Sequence, residues 1–305
     1  MRRKATLDVE GTPVEVSNLE KVLYPKSGFT KGQVIDYCVR ISPVLLPYLT
    51  NRPITLKRYP DGVDGFFFYE KKAPPHRPPW IETTKVPKND GGEIDYCMLN
   101  NLPALVWAAN LADLELHTFL HVAPRITRPN WLTFDLDPGP PADIIHCCKV
   151  GLWIRDIFAA LGLESFAKTS GSKGLQVTVP LNTPTTYEKT KPLAHAIAKL
   201  LERQYPESVV SQMAKSLRTG KVLIDWSQND DKKTTISVYS LRAREHPTVS
   251  TPVTWQEVEA SLKKKKPLSF EANDVLQRVE QLGDIFAPVL TCKQRLPQLS
   301  ALARL

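Results

Sequence analysis

The sequence predicts an α+β fold, because short alternating apolar runs that read as strands are mixed along the chain with segments whose apolar residues recur at helical spacing. The length of 305 residues adds an expectation of about two folding units at roughly 150 residues each. TLDVEGTPVEVSN alternates around Gly11, Thr12 and Pro13 and reads as a β-hairpin. Residues 29 to 50 carry Ile35, Val39 and Leu46 at near-helical spacing, and Pro53 then opens the strand-like PITLKRY. Pro74, Pro75, Pro78 and Pro79 make 71–79 an extended, helix-free surface loop. Pro103 suits the first turn of a helix running to about Leu116, with Leu102, Val106, Ala109 and Leu116 on its apolar side. WLTFDLD follows as a buried strand. Asp143 is placed to cap a helix to about Leu161, with Ile145, Cys148, Leu152 and Ala159 inward and Gly162 as its stop. GLQVTVPL reads as a strand, Pro192 as the start of a helix through Tyr205 with Leu193, Ile197, Leu200 and Leu201 inward, and KVLIDW as a further strand. Past Gly283 a Pro- and Leu-containing tail is expected to pack on the rest. The run Lys263 to Lys266 reads as a solvated face.

Lys and Arg total 40 against 32 Asp and Glu, and the resulting +8 favours a polyanionic partner. The five cysteines, at 38, 97, 147, 148 and 292, contain no C-x-x-C spacing, which argues against a disulfide framework and a zinc ribbon and for a reducing cytosol. MRRKATLDVEG has no apolar stretch after its basic residues, and no segment approaches the roughly 20 apolar residues of a membrane span. A soluble, cytoplasmic protein is expected.

Three carboxylates carry the sharpest chemical signal. In LTFDLDP, Asp135 and Asp137 are two apart on a strand and share a face, where their repulsion is costly unless cations neutralise it. Asp225 ends the apolar run VLID in the same manner, so the three form a candidate metal site, although each taken singly also suits a strand-end turn. KTSGSKGLQV offers the hydroxyls of Ser170 and Ser172, open backbone N–H groups and the Lys173 ammonium to phosphate oxygens, without the Walker spacing. His117 and His121 in ELHTFLH are four apart, a spacing that on a helix presents two zinc ligands; without H-E-x-x-H, His117 reads better as a phosphate contact and His121 as structural. Lys21, Lys31, Lys57 and Arg58 precede GFFFYEKK, a mixture of cations and aromatics suited to phosphates and unpaired bases, in which alternation assigns about half the rings to the core.

Together NLEKVLYP, ELH, DLDP, TSGSKGL and IDWSQN resemble, in that chain order and from about Val16 to Pro297, the polymerase domain of bacterial ligase D, a branch of the archaeo-eukaryotic primase superfamily. The resemblance implies a primase-like catalytic core of mixed sheets flanked by helices (101–305 with the tail) and an N-terminal DNA-binding module (1–100) packed on it as one compact unit. It implies template-dependent addition of ribo- or deoxynucleotides to primer ends, gap filling and end processing in DNA break repair, with nucleoid association, two divalent cations, Mn2+ or Mg2+, and Ku and a DNA ligase as partners. Matched by motif, Asp135, Asp137 and Asp225 are the metal-binding catalytic residues, and His117, Ser170, Ser172, Lys173, Gln228 and Arg242 contact the nucleotide. Asn18, Lys21 and Lys31 correspond to a pocket for a downstream 5'-phosphate, Lys57 to the same cationic patch, and Phe68 and Tyr69 to the template-stacking pair. Tyr69 stands where the family often has phenylalanine and Gln176 where it often has histidine. The contrasting readings are a non-catalytic DNA-end-binding module of a repair complex and a metal-dependent nuclease.

Overall fold

The structure, a computed structural model, describes residues 4–88 and 90–304, with side chains through Leu302. Arg2 and Arg3 of the basic N-terminal stretch lie outside the described residues. The chain divides into two units, the first up to Pro124 with Thr234–Ser250 and Phe270–Gly283, the second Arg125–Lys233 with Thr251–Ser269 and Asp284 onward. Each is organised by its own six-stranded sheet, and helices alternate with strands along the chain, so the α+β expectation holds.

The first unit opens with the expected hairpin, β1 (Lys4–Val9) and β2 (Thr12–Ser17), turned at Glu10 and Gly11, both at positive φ. After the short β3 (Val22–Tyr24) and β4 (Phe29–Thr30), Thr30 and Gln33 form a capping box that starts α1 (Lys31–Leu49). Its buried stripe includes Val34, Ile35, Cys38, Ile41 and Leu45. Next come β5 (Pro53–Arg58), β6 (Phe68–Glu70), β7 (Thr83–Pro87), β8 (Glu93–Met98), α2 (Leu102–Asn110) and β9 (Asp113–Thr118). No helix forms over 71–79.

One expectation fails here. The helix opened by Pro103 ends at Asn110, and LELHT is strand β9, entered through Ala112 at φ +57. Five of the six β9 residues are buried, so both faces are covered and the alternation that marks a half-exposed strand is masked. His117 and His121 therefore do not share a helical face. His121 is fully buried with its ring stacked on Phe119 at 4.8 Å, a core residue as expected. Register fixes the neighbours of β5: Lys57 lies opposite Glu115 on β9 and opposite Tyr69 on β6, and Thr55 lies opposite His117.

The second unit runs through β10 (Trp131–Pro138), α3 (Ile144–Ala160), β11 (Phe166–Thr169), β12 (Leu175–Pro180), α4 (Tyr187–Gln204), β13 (Val209–Val210) and β14 (Val222–Asp225). The chain then supplies β15 (Thr235–Ile236) to the first unit, β16 (Pro252–Val253) and α5 (Trp255–Lys264) to the second, α6 (Ala272–Leu282) to the first and α7 (Pro288–Thr291) to the second. The first sheet has the order β15-β9-β5-β8-β7 with β6 also on β5, the second β13-β14-β10-β12-β11-β16. Asp143 caps α3 in a capping box with His146, and Gly162 at φ +74 follows its end, both as expected. α4 starts five residues earlier than expected, at Tyr187, with Pro192 inside it. Proline is tolerated there because burial of Tyr187, Thr190 and Leu193 holds the first turns against the loss of one backbone bond. The tail does pack: the Val289 carbonyl accepts from Trp131 Nε1 and Asn182 Nδ2, and Gln294 N donates to Leu181 O. Lys263–Lys266 are exposed at the end of α5. No helix among the described residues is long and apolar enough to cross a membrane.

Two glycines fix the loops that flank β10. A Cβ on Gly174 would lie 2.1 Å from Leu136 O, and one on Gly139 would lie 1.9 Å from Arg218 O, backbone atoms that cannot swing away. Gly174→Ala is therefore expected to push the SGSKG turn off β10 and to destabilise by about 1–3 kcal/mol or more. Gly11→Ala, strained only by its φ of +77 and facing open space, should cost only about 1 kcal/mol. Thermal unfolding of the two variants checks the order; equal shifts would contradict it.

Candidate functional site

In the second unit, the antiparallel ladders set Lys168, Gln176, Asp135 and Asp225 opposite one another on β11, β12, β10 and β14. Side chains opposite one another share a face, and Asp137, two along from Asp135, joins them. Burial, then the charge of Asp137, push Asp135 up to about 7; Asp225 adds to the rise, while Gln176 and Lys168 oppose it. Asp135 Oδ1 is buried without a hydrogen-bond partner. Asp225 is differently placed: its Oδ1 accepts from Ser227 N at 2.9 Å and Ser227 Oγ at 2.5 Å, and its Oδ2 from Gln228 Nε2 at 3.0 Å. Lys233 Nζ in turn donates to Ser227 Oγ. The carboxylates thus share a face, yet among the described residues no three His, Cys, Asp or Glu side chains are drawn into a ready-made metal cage. Asp225 caps its own turn, as the strand-end reading of that residue alone allowed.

The SGSKG turn closes on itself. Ser170 N donates to Gly174 O, and Ser170 Oγ accepts from Ser172 N at 3.2 Å and Gly174 N at 3.0 Å, with Gly171 at φ +69. Ser170 is buried and shapes the turn, whereas Ser172 and Lys173 are exposed at its tip. Gln228, expected at the nucleotide, is turned onto Asp225.

The first unit gathers a second constellation. Glu115 is 2% exposed; Oε2 faces Lys57 Nζ at 3.3 Å and His117 Nε2 at 3.0 Å, and Oε1 faces Arg242 Nε at 3.4 Å. Ala243 N and Tyr59 OH complete the set at 3.1 and 3.5 Å on Oε1. Burial pushes the Glu115 carboxyl up, but the His117 bond and the charges of Arg242, His117 and Lys57 outweigh it and hold the group at about 2. Burial holds His117 below its ordinary range against the pull of Glu115. Lys57 Nζ also lies 4.8 Å from the Phe67 ring centroid and 5.3 Å from those of Tyr59 and Tyr69. Tyr69 is 55% exposed, while Phe68 is half-buried, stacked on Phe66 at 5.9 Å beneath the Arg58 guanidinium.

Asn18 turns the chain at φ +54, its carbonyl accepting from Lys21 N, and Lys31 N donates to Lys21 O, which brings Asn18, Lys21 and Lys31 together at the start of α1. Lys31 Nζ donates to Asn110 O at 2.8 Å and Ser17 Oγ at 3.4 Å; burial and the nearby Lys21 hold it down at about 8. Lys21 pairs with Asp61 at 2.9 Å. Lys57, grouped with these lysines from the sequence, is paired with Glu115.

Sequence reading missed Glu115, Lys168, Ser227 and Lys233. The signal for Glu115 was its place two residues before His117, which becomes one face only once the segment is a strand. Lys168 becomes meaningful only through the pairing of β11 with β12.

The family model for "LigD, primase-polymerase domain" matches residues 30–286. The chain is 38% identical over 288 residues to the multifunctional non-homologous end joining protein LigD of Mycolicibacterium smegmatis, covering 90% of this chain and 36% of that protein. It is 30% identical over 272 residues to the bifunctional non-homologous end joining protein LigD of Bacillus subtilis, covering 88% and 43%. It therefore spans less than half the length of these relatives. Among solved structures, the polymerase domain of Mycobacterium tuberculosis ligase D in complex with DNA matches with a TM-score of 0.85 at 37% identity, over 92% of this chain and 98% of that one. The chain belongs to the LigD primase-polymerase domain family.

Proposed function

We propose that the chain is a template-directed nucleotidyltransferase that extends primer ends and fills gaps in broken DNA, from ribo- or deoxynucleoside triphosphates. The observation that carries this reading is the carboxylate face of the second sheet, where Asp135 lies opposite Asp225 with Asp137 beside it. The donor set fits hard divalent cations, Mn2+ or Mg2+: all oxygen, with one buried Asp135 oxygen lacking any hydrogen-bond donor. When bound, such cations lower the pKa of an attacking 3'-hydroxyl and neutralise charge on the leaving pyrophosphate. Ser227 and Gln228 orient Asp225, and Lys233 orients Ser227. Ser172 and Lys173 at the tip of the turn offer a hydroxyl and an ammonium to phosphate oxygens. His117 and Arg242 carry the same kind of recognition in the first unit. The exposed ring of Tyr69, with Phe68, offers a stacking face to a template base, and Lys21 and Lys31 suit a 5'-phosphate. The N-terminal module in this reading holds DNA. The DNA in the matching mycobacterial structure supports a DNA substrate, and the relatives' names support a role in non-homologous end joining. Ku and a DNA ligase are the partners this reading implies.

Primer extension on a gapped duplex tests the reading directly. Asp137→Ala is expected to keep its fold and lose at least about 10³-fold in nucleotide addition, the scale of losing a principal electrostatic stabiliser. A folded variant that extends normally would remove the metal assignment, and shortening of primers would favour a nuclease.

The lysine pocket makes a pH-dependent prediction. A 5'-phosphate is mostly dianionic above about pH 7 because its second pKa is about 6, so any change at higher pH belongs to the protein. Lys31, held at about 8, is charged below that pH and neutral above it. A dianion stabilises the charged form, so binding above pH 8 must take up a proton and weakens as pH rises. Preference for a gap with a 5'-phosphate should therefore be strongest below pH 8 and decline above it. Lys21→Ala with Lys31→Ala should lose about 10- to 100-fold of it. Binding with and without the phosphate checks this, and a wild-type preference unchanged across pH 8 would contradict it.

A further inference from the structure

Three basic side chains share one carboxylate in the first unit, and their depths are graded. Glu115 is 2% exposed, whereas Lys57, His117 and Arg242 are 13%, 14% and 18% exposed. The anion is the floor and the bases are the rim. A stabilising ion pair needs one counter-charge. Here Lys57 and Arg242 bring two positive charges to the single negative charge of Glu115, so the three groups together present a net positive charge to an outside anion even with His117 neutral. Register makes the arrangement rigid, because Lys57 and Glu115 are opposed on adjacent strands and His117 is two residues from Glu115 on the same face.

We propose that Glu115 is a positioning residue: it preassembles Lys57, His117 and Arg242 as a single cluster for the polyphosphate of a nucleotide, and it makes His117 the group that takes up a proton when the polyphosphate binds. The inference rests on the nucleotidyltransferase reading for the identity of the anion. An ionised Glu115 accepts only, so His117 Nε2 must carry the hydrogen of the 3.0 Å bond. Nδ1 then holds a lone pair until a second proton arrives, and only the protonated ring donates from Nδ1 to a phosphate oxygen. The charged and titratable groups that face His117 are Glu115 on its own strand, Lys57 on β5, Tyr69 on β6 at 6.1 Å between rings, and Arg242. Of these, Glu115 alone favours the imidazolium at neutral pH. Without it, the repulsion from Lys57 and Arg242 moves protonation to lower pH. The same carboxylate thus sets both the placement of the rim and the pH at which it becomes a full donor set.

The test uses the full chain as wild type, Glu115→Gln and Glu115→Asp, with two measurements. One is the KM for nucleotide and kcat in primer extension from about pH 6 to about pH 8.5, the range in which a perturbed histidine titrates. The other is NMR titration of the His117 imidazole with and without inorganic tripolyphosphate. In the wild type, tripolyphosphate should raise the His117 pKa, and the nucleotide KM should climb as pH rises through it. Glu115→Gln should raise KM by about tenfold or more, the loss expected of one charge-assisted contact, with a smaller change in kcat. Its KM limb and its His117 titration should both move to lower pH. Glu115→Asp, which keeps the charge, should hold the limb near the wild-type pH, and it keeps the test decisive if the glutamine variant does not fold. A folded Glu115→Gln with wild-type KM, pH profile and His117 titration would overturn the proposal. A wild type that adds no nucleotide, yet whose His117 pKa is raised by tripolyphosphate only when residue 115 is charged, would overturn the polymerase reading and leave the cluster standing.

Discussion

Asp135 and Asp225 are set opposite each other by one antiparallel ladder, and the organisation of the second unit depends on that opposition. Two acids on one face of a buried sheet, with Asp137 beside them, repel in a medium that screens poorly. The fold manages the repulsion in three ways. Lys168 and Gln176 continue the row on the other side of Asp135, one supplying a charge and the other an amide. Ser227 and Gln228 take up the Asp225 carboxylate, and Lys233 in turn holds Ser227. Asp135 keeps one buried oxygen without a hydrogen-bond partner, and burial together with the charge of Asp137 raises its proton affinity. A carboxylate left in that condition is one that a hard cation satisfies better than the protein does.

The first unit solves the inverse problem with the same device. A sheet register again places charges opposite one another, but here a single acid lies beneath several bases, and the surplus is positive. Aromatic rings close around Lys57 and satisfy its ammonium with their electron-rich faces, while limiting its access to water. Lys57 and His117 are fixed on adjacent strands, β5 and β9, whereas Arg242 reaches Glu115 from the segment after β15, so two of the three bases are placed by sheet register before any ligand arrives.

Much of this was legible in the sequence. The Asp143 cap, the hairpin at Gly11, the strand bearing Asp135 and Asp137 and the ordered motif set could all be read, because each depends on local chemistry or on two-residue periodicity. The failures share one cause. Burial on both faces of β9 made LELHT look like the end of a helix, and burial of Tyr187 and Thr190 started α4 ahead of its proline. Pairing partners were equally invisible: neither Glu115 as the hub for Lys57, His117 and Arg242, nor Lys168 in the row with Asp135, can be read from spacing along the chain. The local hydrogen bonds of Gln228 to Asp225 and of Ser170 within its own turn are likewise not visible in the motifs that match both residues to the nucleotide.

Whether the carboxylate face of the second sheet holds cations is decided by anomalous diffraction at the manganese edge, from crystals grown with Mn2+ and a non-hydrolysable nucleoside triphosphate. Anomalous density is expected within coordination distance of Asp135 and Asp137, and it should disappear when both are changed to asparagine. Density confined to other acidic residues, with Asp135 and Asp137 unliganded, would contradict a cation site on this face.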